Sequence, residues 1–259
     1  MNYGETIPQS QPQILHGKRF YYLVVNYTPM VSTMRAVKIA SKIIPMPWPA
    51  THILIAEKVF DTFFSHLEKK AFIIGTCFPD IRYPARIERE QTHLKNLSLK
   101  VIQAKPAFQA GLSFHSMVDG VWNGYVQLHS ETLFSVAPHN RAMLHVLKIL
   151  QDQYLYPFYD RWDQVTTYFG NVLPEERSFE IDEEMLQKWH EMLVYYLQKP
   201  PSKADLQMLS ISLPGDLINK INHYYQIYEN HPTIQHIMTE FYTDFESLLS
   251  ENERGDTDR

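Results

Sequence analysis

Cysteine is almost missing from this chain. Cys77 stands alone among 259 residues, which excludes an internal disulfide and is compatible with a reducing compartment. Glycine is scarce too, at nine. Scarce glycine beside long periodic segments disfavours a turn-rich β fold and favours helices. No apolar run reaches the length of about 18 residues from which a transmembrane helix is read. Positive charge is in deficit, with a formal net charge of −5, so no extended nucleic-acid surface is expected, since that would need a basic face. What is present is ordinary globular material. Hydrophobic residues make up 44%, and the length suffices for a sizeable core.

The charge is not evenly spread. Residues 1–45 hold five Lys/Arg against one acid, Glu5, while the rest is net negative. Their apolar stretch "FYYLVVNY" is short and precedes no clear cleavage site, so a cytoplasmic protein is expected, with secretion left open. Residues 1–45 read as a flexible extension, or as a start placed too early with the true one near Met46. The helical domain is expected over 46–250, with a charged, disordered tail at 251–259.

After "PMPWPAT" the pattern turns helical. Thr51 suits an N-cap, and Ile53, Ala56, Val59, Phe60, Phe63 and Phe64 recur at helical spacing. "KKAFIIGTCFPD" is a second apolar segment, stopped by Pro79. Tyr83 to about Lys105 reads as a polar connection with room for a short helix. One buried helix is expected from Pro106 to about Leu128, although Gly111, Gly120 and Gly124 lower its propensity; three glycines there imply close approach by a neighbour. Further helices are expected from Asn140 to about Tyr156, from Asp182 to Leu197, and from Pro214 onward with a break at Pro232. With no repeat and no strand pair, the fold expected is all-α, a single-domain multi-helix bundle.

His115 and Asp119 lie four apart in "LSFHSMVDG", so one helix face can present both to a single ion. Imidazole nitrogen and carboxylate oxygen are normal zinc ligands. Asp80, after Pro79, and His93, in the following connection, are candidates to complete the set. His52, near the start of its own helix, would serve the same ion or a second one close by. Singly, each has a plainer explanation. A lone His on an apolar helix is more often a hydrogen-bonded core residue, and Asp after Pro more often a cap or turn. Arg82, Arg86 and Arg89 suit a phosphate and equally suit a solvated surface.

Together, the five residues resemble the zinc-dependent phospholipase C family and its relatives, the zinc-dependent single-strand nucleases. "THILIAEKVFD" is similar to the family's Ser/Thr-His helix. "FIIGTCFPD" is similar to its Gly-x-x-x-x-Asp segment, "QTHL" follows at about the family's spacing, and "AFQAGLSFHSMVDGVW" resembles its His-x-x-x-Asp helix. The resemblance spans roughly residues 50–127. It implies a helical bundle of that type, with His52, Asp80, His93, His115 and Asp119 as ligands of Zn2+ or another divalent metal, and Asp119 able to bridge two ions. It implies a metal-activated water acting on a small-molecule or lipid phosphoester. A carboxylate within reach of such a water is a ready base, which makes Asp80 the candidate proton acceptor, and guanidinium pairing makes Arg82 and Arg86 candidate substrate-binding residues. The secreted members carry a further metal site, with a histidine six residues after the helix aspartate and then His-x-x-x-Glu. Here that first position is Tyr125, and none of His129, His139 or His145 has a Glu four residues on. One or two ions are therefore expected. The alternatives are a His-Asp nucleotide phosphohydrolase, which usually shows an adjacent His-Asp pair absent here, and a non-catalytic protein with a structural metal.

Overall fold

A computed structural model describes residues 49–95, 97–202, 205 and 215–257, with side chains described as far as residue 250. All of these belong to the unit Ala40–Arg259. Residues 1–45, Trp48 and Pro214 lie outside the described residues. Among the described residues every regular element is helical.

Helix α1 (Pro49–Phe63) buries Ile53, Ala56, Val59 and Phe60, as their spacing predicts. Thr51 is not its cap, because the helix already includes Pro49. The capping group comes from far along the chain: the Asp152 carboxylate accepts from the backbone N–H of Ala50 (3.2 Å) and Thr51 (2.7 Å) and from the Thr51 hydroxyl. It satisfies donors that a helix start leaves unpaired. Helix α2 (Lys69–Cys77) is capped by Glu68, which accepts from the N–H groups of Lys70 and Ala71. Pro79 then turns the chain into a 3-10 turn at Phe78–Ile81, which holds Asp80.

The polar connection condenses into short helices α3 (Arg82–Ala85), α4 (Arg89–Thr92) and α5 (Leu99–Gln103). Helix α6 (Ala107–Leu128) runs through the core and packs most extensively on α2. The two backbones touch. A Cβ at Gly111 would lie 2.0 Å from the Phe72 carbonyl oxygen, and one at Gly75 would lie 2.1 Å from that of Phe108. Gly120 and Gly124 face open space, so Gly111 alone of the three glycines in α6 answers to a close approach.

The chain continues through α7 (Ser130–Val136), α8 (Arg141–Leu155, capped by Asn140), α9 (Trp162–Tyr168), α10 (Pro174–Arg177) and α11 (Glu183–Leu197). Beyond the undescribed stretch come α12 (Gly215–Tyr228) and α13 (Pro232–Thr257). The backbone of α13 runs on through most of the stretch read from sequence as a charged tail. The core is strongly aromatic, with Phe64, Phe72, Phe78, Phe108, Phe114, Trp122, Phe241 and Phe245 fully buried.

Candidate metal centre

Four segments meet beside the α2–α6 contact. Helix α1 brings His52, the 3-10 turn brings Asp80, the end of α4 brings His93, and α6 brings His115 and Asp119. Both histidines named last, His52 and Asp119 are buried. His52, His115 and Asp119 offer ligand atoms within 4.8 Å of one another, and so do Asp80, His93 and His115. His115 belongs to both groups. All five residues that the sequence singles out as ligands thus come together.

The hydrogen bonds behind the histidines decide which nitrogen faces the cluster. His115 Nδ1 lies 2.9 Å from the Thr76 carbonyl oxygen, which can only accept, so Nδ1 carries the proton. The Thr92 hydroxyl donates to the Pro79 carbonyl (3.1 Å) and therefore accepts from His93 Nδ1 (3.0 Å). In the neutral tautomer so selected, each Nε2 is a bare lone pair. Burial holds both rings neutral. It is the main cause that lowers the His115 pKa to about 3 and depresses that of His93 further.

These lone pairs point at carboxylate oxygens. Asp119 Oδ2 lies 3.6 Å from His93 Nε2 and 3.7 Å from His115 Nε2, and Oδ1 lies 3.7 Å from His52 Nε2. Neither Asp119 oxygen, nor Asp80 Oδ1, nor the Nε2 atoms of His93 and His115 takes part in a hydrogen bond. Buried acceptors that face one another with no hydrogen between them repel. A cation among them reverses the sign. The spacing suits one: ligand bonds of about 2.0–2.2 Å in a tetrahedral site put ligand atoms about 3.3–3.6 Å apart. The His52 and His115 rings stack at 3.9 Å with an interplanar angle of 3°, and His93 meets His115 edge-on at 5.0 Å. The buried His/Asp cluster can therefore hold a metal ion.

Around the cluster the charge is positive. Arg89 Nη2 lies 3.6 Å from Asp119 Oδ2, with the Arg89 side chain half-exposed. The Arg82 guanidinium donates to Tyr83 Oη (2.6 Å), covers that ring, and acts on Asp80. Arg86 is exposed on a left-handed backbone (φ 57°). Burial raises the Asp80 pKa, against the pull of His52, Lys148, Arg82 and Arg89.

Sequence reading overlooked several supporting groups. Thr76 and Thr92 orient the imidazoles. Asp152 fixes the start of α1 next to His52, with Tyr196 Oη donating to its other oxygen (2.8 Å). Lys148 is buried in α8. Only Lys148 and Asp152 left a trace in the sequence, as charges within an otherwise apolar helical pattern. Tyr125, six residues after Asp119, has its hydroxyl taken up by the Ile237 carbonyl (3.1 Å) and Glu240 (3.0 Å). His129 packs on Tyr125 and His139 stacks on Phe134.

No family model matches the chain, and no curated protein or solved structure matches it. Fold and site define an all-helical protein with a buried cluster able to hold a metal. Among the described residues no helix is long and apolar enough to cross a membrane.

Proposed function

We propose that the chain is a metal-dependent hydrolase of phosphoesters, with zinc as its metal and a fold of the zinc-dependent phospholipase C type. The observation that carries this reading is the set of bare acceptors: the Nε2 lone pairs of His93 and His115 lie 3.6 and 3.7 Å from the buried Asp119 Oδ2, and neither these nitrogens nor the Asp119 oxygens take part in a hydrogen bond. Arg89 reaches one oxygen of Asp119 from the solvent side; a divalent cation would in addition give the two Nε2 lone pairs a partner. The resemblance in ligand order supplies the reaction class. A divalent ion held there contributes Lewis acidity and a water of lowered pKa.

The chain's own residues have separate tasks in this reading. His52, His93, His115 and Asp119 hold the ion, with Thr76 and Thr92 fixing two of the rings. Asp80 accepts the proton, because its Oδ1 is buried at the cluster and takes no hydrogen bond. Arg89 and Arg82 receive the anionic phosphoryl group from the solvent side.

The test is elemental analysis of the full chain beside an assay with bis(p-nitrophenyl) phosphate. Expected are one or two zinc ions per chain and hydrolysis that a chelator abolishes and zinc restores. Metal without hydrolysis of any ester would support a structural ion instead. No metal after zinc loading would end the reading.

A further inference from the structure

Three groups converge on one oxygen. Asp119 Oδ2 lies 3.6 Å from His93 Nε2, 3.7 Å from His115 Nε2 and 3.6 Å from Arg89 Nη2. Two of the three are lone pairs, and the third is a cation. Arg89 and His93 reach the oxygen from a single turn of backbone. The His93 N–H donates to the Arg89 carbonyl (2.8 Å), and residues four apart on such a turn share a face. Both histidines and Asp119 are buried, while 43% of the Arg89 side chain is exposed. No hydrogen bond reaches either oxygen of Asp119, so the guanidinium acts on the carboxylate by charge.

A permanent positive charge thus stands at the carboxylate that a metal ion would share. Arg89 offsets part of the negative charge that draws an ion in, and it repels the ion once bound. Guanidinium does not lose its proton in proteins, so no titration relieves the conflict. An oxyanion does relieve it. With one oxygen on the ion and another on the guanidinium, it stands between two cations and attracts both.

We infer that Arg89 couples the metal to an anionic ligand: by itself it weakens the hold on a divalent ion at Asp119, and with a phosphate-class oxyanion bound it strengthens that hold. The inference rests on the hydrolase reading in one respect: there, the oxyanion is the phosphoryl group of the substrate. It goes further in naming what the site selects, a divalent ion together with its phosphate partner, and in making the ion exchangeable while no substrate is bound. Such coupling is reciprocal, so the ion tightens the anion by the same factor.

The experiment measures zinc affinity of the full chain by competition with a chromophoric chelator, with and without inorganic phosphate, for the parent, Arg89→Met and Arg89→Lys. Without phosphate, Arg89→Met should bind zinc at least about fivefold more tightly than the parent, the lower end of typical coupling. The tightening of zinc by phosphate should be at least about fivefold larger in the parent than in Arg89→Met. Arg89→Lys keeps the charge and should follow the parent in both respects. A merely structural Arg89 would lower zinc affinity on removal, with phosphate or without it. Should Arg89→Met fail to fold, Arg89→Gln takes its place. Zinc held no more tightly by the neutral variant than by the parent, or a phosphate effect of equal size in both, overturns the inference and leaves the metal reading standing. A parent that takes up no zinc overturns both.

Discussion

His115 is prepared for an ion by a bond on its far side. Thr76 carbonyl takes the Nδ1 proton, so Nε2 has only a lone pair to offer. His115→Ala removes that lone pair and leaves Asp119 buried between apolar neighbours with less to balance its charge. Zinc content should fall and hydrolysis should vanish. The variant's melting curve should also stop responding to chelator, since metal binding adds to folding free energy. Thr92→Val is the sharper residue-scale test. It keeps the volume but removes the acceptor for His93 Nδ1, so the ring can shift its proton to Nε2 and block the ligand atom. Zinc affinity, read by competition with a chromophoric chelator, should drop about 10–100-fold, the usual effect of losing an orienting partner. An unchanged affinity would mean that His93 is a packed core histidine.

At the scale of elements, the site depends on how closely α2 and α6 approach. Gly75 and Gly111 let the backbones meet, and this brings Thr76 within reach of His115. Gly111→Ala would drive a methyl into the Phe72 carbonyl. No rotamer change relieves a clash with backbone, so a loss of about 3 kcal/mol, the upper part of the usual overpacking range, is expected in urea unfolding. Gly124→Ala, in the same helix but facing open space, should instead gain about 0.5–1 kcal/mol from helix propensity. Opposite signs for the same substitution 13 positions apart would locate the close contact; equal signs would refute it. Asp152 sets the other helix of the site. It replaces a local cap for α1, and with Tyr196 it ties α1, α8 and α11 together beside His52.

For the whole molecule, metal and protons are the two ligands that stability should register. With zinc at about a hundred times its Kd, binding adds about 2.7 kcal/mol, so chelator should lower the parent Tm by about 5–10 °C for a domain of this size. Proton linkage is best read at His145, which belongs to neither group of candidate ligands. Burial, with Lys148 and Arg141 nearby, lowers its pKa to about 3. The folded ring stays neutral where the unfolded chain, near 6.5, takes up a proton. Stability from this group is thus present above pH 6.5 and lost as the pH falls from there towards 3. Between pH 7 and pH 5 the loss is at most about 2 kcal/mol. His145→Gln in chelator should flatten the stability–pH curve by up to that amount. Asp152 works in the opposite direction, because burial raises its pKa to about 6. It is common to both proteins and cancels in the difference.

Much of this was written in the chain's local pattern. The helical period of Ile53, Ala56, Val59 and Phe60 marked a buried face because a helix repeats every 3.6 residues whatever surrounds it. The four-residue spacing of His115 and Asp119 put both on one face for the same reason. Pro79 marked the end of α2, since a proline ring disfavours a helical residue before it. Spacing along the chain could not show what joins residues far apart in it. Asp152 caps α1 from 101 positions away, a distance at which no propensity acts, and Thr51 was mistaken for the cap that Asp152 provides. The glycines of α6 looked alike in sequence; only the packing of α2 distinguished Gly111 from Gly120 and Gly124. The proton positions on His93 and His115 follow from carbonyls of Pro79 and Thr76, and a backbone carbonyl has no letter in the sequence. The sequence by itself determined the long helices and the histidines and carboxylates that they carry. The tertiary structure decided their convergence and the tautomers, because each depends on atoms that only packing brings within a few ångströms.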